Sequence, residues 1–469
     1  MGAAEAGERG PEGDGAGRAI RSRMPARVVI TGLGCVSCFG AGHAALWSAL
    51  MEGRSGLKRI TRFDPSGFPS RVAGEIADLD VRQYVPKSYR KATKVMARDT
   101  EIAVAAAKLA VEDAGIVTRG NAEEGGAEAA LTYAPERMGC NIGAGLIAAE
   151  LDEMSEAMIT ARPEGTFSIR AWGGEGGKGM EALTPLWLLK YLPNMLACHV
   201  TIIHGAEGPS NTITCAEASG LLSVGESMRV IERGAADVCF AGSAESKLNP
   251  MGLLRLDYAG RLAETGDAED GSGFVRPFDA AAKGGVVGEG GAIVMLENLE
   301  TATKRGAKVY AEVVGFGGGH SDARYKAGEN DEGYRYAIEN ALEDAGIAAG
   351  DVDVIVPLGM GVPEMDRPEG GALWAVFGER LKDVACITIM PNAGNCVAGA
   401  GGLQMVAGAL ALKNQQLPRR IHAGTPGMGM PVGRVKAETT PGKRLRYALL
   451  CGGSLGGQNA AVVLKAVEG

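Results

Sequence analysis

Three groups of side chains in this sequence have types and spacings that could do chemistry. Cys35 and Cys38 form a CxxC pair, the spacing of a metal or redox dithiol. No second Cys or His pair stands close enough to complete a zinc site. The other seven cysteines, Cys140, Cys198, Cys215, Cys239, Cys386, Cys396 and Cys451, are scattered, mostly in apolar contexts such as Asp237-Val238-Cys239-Phe240. Nine separate thiols of this kind read as small buried hydrophobes in a reducing cytoplasm, with no metal bound. The second group is Lys87, Arg90, Lys91, Lys94 and Arg98, five cations in twelve residues of an acidic chain. Their spacings of three and four place them on one broad helical face, which is either simply solvated or built for an acidic partner. The third group is the histidines, only five in 469 residues: His43, His199, His204, His320 and His422. His199 and His204 read as ordinary helix or strand residues.

The elements that would position such groups follow from composition and pattern. With 469 residues, the chain exceeds what one hydrophobic core comfortably serves, so two packed units are expected. Glycine is abundant, at 72 residues, which implies many tight turns and close backbone approaches. A net charge of −8 argues against nucleic acid as a partner. The chain has no apolar run long enough to span a bilayer and no apolar secretory segment at its start. Residues 1–23 have almost nothing to bury and are expected to form a disordered tail. Val28-Val29-Ile30-Thr31-Gly32-Leu33-Gly34 is a buried strand running into glycines, with a helix near Ala44–Glu52 and another over 100–114. The chain then repeats itself. Ala110-Val111-Glu112-Asp113-Ala114-Gly115-Ile116 closes a helix in the first half, and Ala341-Leu342-Glu343-Asp344-Ala345-Gly346-Ile347 closes one in the second. Each follows a Gly-ended strand, Val29–Gly34 and then Glu312–Gly317, so a duplication is expected, with halves spanning 24–300 and 301–469. Strands alternating with helices imply parallel sheets covered by helices. Segments 117–135 and 162–182 read as surface insertions, the second as a mobile Gly-rich loop around Trp172.

Gly208-Pro209-Ser210-Asn211-Thr212-Ile213-Thr214-Cys215-Ala216-Glu217-Ala218-Ser219-Gly220 resembles the active-site segment of the β-ketoacyl-acyl-carrier-protein synthases of the thiolase fold. Further stretches resemble that family in order: Val28–Gly34, Gly53–Leu57, Arg62–Asp64, Leu192–Met195, Arg276–Asp279, Gly288–Gly290, Lys304–Lys308 and Gly456–Asn459. The likeness runs from about residue 26 to 467. It implies a duplicated five-layered α/β/α/β/α fold, a dimer, and a role in fatty-acid or polyketide assembly. It also implies a catalytic set. A Cys at a helix N-terminus attacks an acyl thioester. Two His, one supported by a Lys, stabilise the enolate left when a malonyl thioester loses CO₂, and two Thr hold the pantetheine arm. The resemblance implies no resident cofactor, because acyl groups arrive on the phosphopantetheine of a carrier protein.

Matching the motifs residue by residue leaves that catalytic set empty. Counting back from Ser219-Gly220 puts Glu217 at the nucleophile, with Cys215 where the family usually has a Thr. Aligning Pro363 and Asp366 puts Leu358 at the first His, with Met360 and Val362 replacing the two Thr. The Gly-rich run 399–402 puts Cys396 at the second His and Pro391 at the Lys. In the last motif Leu455, before Gly456, takes the place of the gating Phe. No slip of alignment restores an imidazole: His422, the one nearest Cys396, is 26 residues away. Without nucleophile or enolate stabiliser, each contributing ~10²-fold or more, Claisen condensation is expected to be lost.

Glu217 at a helix N-terminus is expected to accept backbone N–H bonds in the emptied oxyanion hole. Alternatively it is a repurposed acid or base with Glu364, Asp366 and Cys396 as neighbours. Within the family, the resemblance is greatest to the chain-length factor, a look-alike that pairs with an active ketosynthase and often carries Gln at the nucleophile position. Such a chain would form a heterodimer with a ketosynthase homologue. A repurposed enzyme would form a homodimer, and an ordinary 3-oxoacyl-acyl-carrier-protein synthase is the third reading. The cationic segment 87–98 is similar to the one that docks the acidic acyl carrier protein in the family.

Overall fold

The computed structural model describes residues 25–122, 130–322, 331–422, 424–427, 438–439 and 443–467. The expected tail 1–23 lies outside these, as do residues 123–129 of the first expected insertion. Ten strands carry the fold. The first five are β1 (Val28–Ser37), β2 (Met138–Gly143), β3 (Ser210–Ile213), β4 (Val238–Ser246) and β5 (Glu289–Asn298). The second five are β6 (Ala311–His320), β7 (Val354–Val356), β8 (Ala385–Cys386), β9 (Tyr447–Gly453) and β10 (Gln458–Lys465). The spatial order is 3-2-4-5-1 in the first set and 8-7-9-10-6 in the second, the same order shifted by five. The two sets join through three residue pairs between β1 and β6.

Both sets are mixed and not purely parallel, which corrects the sequence expectation. β2 runs parallel to β3 and β4, while β4–β5 and β5–β1 are antiparallel. The second set repeats the pattern. The cause is visible at β9 and β10, which a turn over 454–457 joins directly, and so short a connection allows only antiparallel pairing.

The repeated Glu-Asp-Ala-Gly segments show what the duplication conserves. Helix α1 (Arg98–Ala114) covers β1, and α3 (Glu332–Asp344) covers β6. Asp113 accepts the Leu33 N–H at 2.8 Å, and Asp344 accepts the Phe316 N–H at 2.9 Å. A Cβ on Gly34 would sit 1.8 Å from the Ala106 carbonyl oxygen, and one on Gly317 would sit 2.1 Å from that of Ala337. The glycines therefore let each helix lie against its strand, and the aspartate ties the two together. Gly34→Ala or Gly317→Ala is expected to lower stability by about 1–3 kcal/mol or more, read from urea unfolding midpoints. Unchanged midpoints would show that the helices can move away at little cost.

Two further helices, α2 (Ser219–Glu232) and α5 (Gly399–Asn414), lie between the sheets and touch strands of both. All of α5 from Gly399 to Leu412 is buried, as a helix in a central layer requires. With α3 and α4 (Pro363–Phe377) on the far side, the layers run α/β/α/β/α. The expected mobile loop 162–182 is instead a set of short helical turns, Pro163–Gly165, Ile169–Gly173 and Met180–Ala182. No helix among the described residues is long and apolar enough to cross a membrane.

Candidate functional site

The central helices bring the site together. Each has a glycine one or two residues into its first turn, and there they cross: a Cβ on Gly220 would lie 2.9 Å from the Gly401 Cα, and the reverse distance is also 2.9 Å. So close a crossing sets the two helix starts side by side. Each start is preceded by a non-glycine residue in the left-handed region, Ala216 and Val397, both at φ 47°. Such backbone costs ~1–3 kcal/mol and persists where the surroundings enforce it. Here the Asn395 side chain accepts the Val397 N–H at 2.8 Å, and Ser219 Oγ accepts the Cys215 N–H at 2.7 Å.

Glu217 is fully buried at the first of these elbows. Its carboxylate does not accept backbone N–H groups as expected. Oε1 forms an ion pair with Arg261, itself buried, and accepts a 3.0 Å hydrogen bond from Asn395 Nδ2. The reason is charge: a fully desolvated carboxylate is held far better by a guanidinium than by neutral amides. Oε2 of Glu217 and Nε of Arg261 have no protein partner. Arg261 Nη2 also lies 3.7 Å from Met360 Sδ, joining the elbow to the loop after β7. Sequence reasoning missed both Arg261 and Asn395, since neither stands in a motif that marks it as a partner for an acid.

Of the positions expected to match the family's catalytic and pocket groups, Met360 meets this pair. Leu358, Met360 and Val362 are buried in one apolar cluster with Leu57, Val72, Val275 and Met390. Their loop is fixed by two buried acids of α4. Asp366 accepts the N–H groups of Phe278, Met360 and Gly361, and Glu369 accepts those of Leu358 and Gly359 and the Tyr334 hydroxyl. Asp366 is thereby committed to the backbone and does not pair with Glu217. Glu364 stands beside it in the first turn of α4 and makes no hydrogen bond to Glu217. Cys396 is buried next to Asn395, and burial holds its thiol well above the ordinary range. Burial also pushes the Cys215 thiol up, so it is poorly set to be a nucleophile. Pro391 lies in the short helix Met390–Ala393, where its carbonyl accepts the Ser55 hydroxyl at 2.9 Å. Leu455 and Gly456 form the exposed β9–β10 turn, and Leu455 is 43% exposed. No described histidine bonds into the site: His43 binds the Leu33 carbonyl, His199 the Tyr89 hydroxyl, His204 the Thr118 hydroxyl and His422 the Ser272 carbonyl.

The cationic segment differs from its expected form. Lys87–Val95 is a 3₁₀ helix, so residues three apart eclipse and two rows form, Lys87 with Arg90 and Lys91 with Lys94. These four are exposed. Arg98 does not belong to that face. It begins α1 and turns inward to Glu289 at 3.1 Å, Glu101 at 3.3 Å and the Ile76 carbonyl at 3.0 Å.

Burial also gives the fold a pH signature. It pushes Asp366 up to about 6, Asp99 up to about 7 and Glu369 up to about 8, against the hydrogen bonds that favour each anion. A folded-state pKa above the unfolded value contributes stability that is complete below the unfolded pKa and is lost as pH rises through the folded one. Unfolding free energy is therefore expected to fall by ~1–3 kcal/mol between pH 5.5 and 8.5, measured by urea titration. A flat or rising profile would contradict this.

The chain matches two family descriptions, "Beta-ketoacyl synthase, N-terminal domain" over residues 26–302 and "Beta-ketoacyl synthase, C-terminal domain" over 310–424. It belongs to the β-ketoacyl synthase family, a ketosynthase family of fatty-acid and polyketide synthesis, and its fold is thiolase-like. It is 30% identical over 444 residues to 3-oxoacyl-[acyl-carrier-protein] synthase 2 of Staphylococcus aureus strain N315, covering 94% of this chain and 99% of that one. The protein of the same name from Coxiella burnetii is 32% identical over 446 residues, covering 94% and 99%. Among solved structures, the ishigamide ketosynthase/chain length factor superposes with a TM-score of 0.77 at 26% identity, covering 95% of this chain and all of that one.

Proposed function

We propose that this chain is a non-condensing partner subunit, comparable to a chain-length factor, that pairs with a Cys-bearing ketosynthase and shapes its product. The observation that carries this reading is Glu217, buried at the nucleophile elbow and held there by Arg261 and Asn395. A group so committed adds rigidity and no nucleophile, and Leu358, Cys396 and Pro391 supply no imidazole or ammonium. The partner's surface is the open edge of β3, the last strand of the sheet, whose Ser210 and Asn211 are exposed. Leu146, Ile202, Leu186 and Leu188 are large exposed apolar side chains of the same half. Lys87, Arg90, Lys91 and Lys94 receive the acidic acyl carrier protein that loads the catalytic partner. The similarity to a ketosynthase/chain length factor structure supports the reading.

The test is co-expression with ketosynthases encoded in the same genome, followed by native mass spectrometry and an assay of malonyl-dependent chain extension. The expected result is a 1:1 complex whose extension activity needs both chains. A homodimer that ignores every ketosynthase would overturn the proposal, and condensation by the chain alone would instead make it a 3-oxoacyl-acyl-carrier-protein synthase, as the relatives from Staphylococcus aureus and Coxiella burnetii are named. A second reading, a reworked acyl-thioester enzyme using Glu217, draws on the partnerless Oε2. Loss of a new thioester activity in Glu217→Gln would favour it.

A further inference from the structure

Glu217 has no exposed surface, yet the arginine paired with it comes from the edge of the molecule. Arg261 follows the helix Pro250–Tyr258 through a turn in which Tyr258, Ala259 and Gly260 are all exposed, Tyr258 by 82%. Its side chain keeps 9% of its surface in solvent, while that of Glu217 keeps none. One arginine side chain therefore spans the depth between an exposed turn and the elbow. The backbone that carries it is fixed. The Arg261 carbonyl accepts the Gly285 N–H at 3.0 Å, and the Ala263 N–H donates to the Gly285 carbonyl at 2.8 Å. The Gly284 N–H donates to the Gly361 carbonyl at 2.9 Å. A Cβ on Gly285 would lie 3.1 Å from the Met360 carbonyl oxygen and 3.4 Å from Val362 Cγ2, so these segments are packed in contact. The side chain, by contrast, is held at its tip. Nη2 pairs with Glu217 Oε1 and touches Met360 Sδ, while Nε makes no hydrogen bond.

Met360 and Val362 stand where the resemblance places the two threonines for a pantetheine arm. Both are buried in the apolar cluster that Arg261 meets, and neither offers a hydroxyl to the amides of such an arm. We propose that Arg261 is a plug and Glu217 its latch. The arginine side chain fills the way in to the elbow, so the chain excludes pantetheine-borne acyl thioesters by occupancy as well as by lack of a nucleophile. To enter, a thioester would have to pull the guanidinium off a fully buried carboxylate and leave that charge unpaired in low dielectric. Arg261 in this role rests on the non-condensing reading. Complex formation with a ketosynthase decides that reading, whereas access to position 217 decides the plug.

The test compares two alkylating agents of one chemistry and different size on the full-length Glu217→Cys chain, whose thiolate keeps an anion opposite the guanidinium. The agents are 2-chloroacetamide and a pantetheine whose thiol is replaced by a chloroacetamide group, with modification at position 217 read by peptide mass spectrometry. Both react by thiolate displacement of chloride, so the ratio of their rates reports access and cancels the reactivity of the thiol. With Arg261 in place, the pantetheine agent must wait for the plug to open, and its relative rate is expected to be about ten-fold or more below that on free glutathione. Glu217→Cys/Arg261→Ala removes the plug and is expected to raise the ratio about ten-fold or more. A glutathione-like ratio in Glu217→Cys would overturn the proposal whether or not the double variant folds, as would a ratio that Arg261→Ala leaves unchanged. Met360→Thr/Val362→Thr, added to Glu217→Cys, restores hydroxyls with Arg261 intact and is expected to leave the ratio within about two-fold. A large rise there with none from Arg261→Ala would place the obstruction in those two side chains and overturn the plug.

Discussion

Arg261→Met is expected to destabilise the protein by about 3–5 kcal/mol, while the double variant Glu217→Leu/Arg261→Met recovers most of that loss. The guanidinium is the only cation paired with the fully buried Glu217 among the described residues, and the apolar cluster holding Leu358, Met360 and Val362 meets Arg261 through Met360. Removing one partner strands a charge in low dielectric, which costs far more than the intact pair contributes. Replacing both with apolar groups of similar volume removes charge and desolvation penalty together. Glu217→Leu alone strands the arginine and should behave like Arg261→Met. Urea midpoints of the four proteins form a double-mutant cycle, in which a coupling of several kcal/mol is the expected outcome. If the two single effects simply add, the pair is not what holds the elbow, and its place at the centre of the proposed non-condensing role falls with it.

Much of this architecture was legible in the sequence, for identifiable reasons. The strands at Val28 and Ala311 announce themselves by β-branched runs ending in Gly-x-Gly. The helices behind them end in the same Glu-Asp-Ala-Gly, because one aspartate must reach one strand N–H in each half. The assignment of the family's catalytic positions to 217, 391 and 396 leans on the motif glycines, of which Gly220 and Gly401 permit the close helix crossing, and that to 358 on Pro363 and Asp366. What could not be read was long-range pairing between charges. Arg261 is 44 residues from Glu217 and Asn395 is 178. No periodicity links them. Arg98 misled for a related reason. Its spacing from Lys94 matches a continuous helix, but Met96 and Ala97 break the chain between the 3₁₀ segment and α1, so Arg98 turns toward Glu289. The mixed sheets were likewise invisible to a rule based on alternation of strand and helix, because β1 and β5 pair across more than 250 residues.

Glu217→Cys is expected to give a reactive thiol and still no condensation. The new sulfur would stand at a helix N-terminus beside the Arg261 guanidinium, two features that favour thiolate. Position 217 is as buried as Cys35, Cys140, Cys396 and Cys451, whose thiols burial holds far above the ordinary range, but it has a guanidinium beside it, so the new thiol should alkylate with iodoacetamide at neutral pH faster than they do. Chain extension needs more than attack on an acyl thioester. The enolate from a malonyl donor must be stabilised, and Leu358 and Cys396 offer no imidazole while Pro391 offers no ammonium. With at least two such contributions of ~10²-fold each missing, the variant should extend malonyl carrier protein at no more than ~10⁻⁴ of the rate of an intact ketosynthase. The two readouts separate the nucleophile from the enolate machinery. Fast alkylation with no extension places the defect where the substitutions put it. Turnover by Glu217→Cys alone would mean that other groups stabilise the enolate, and the chain would then be a condensing enzyme lacking a single residue.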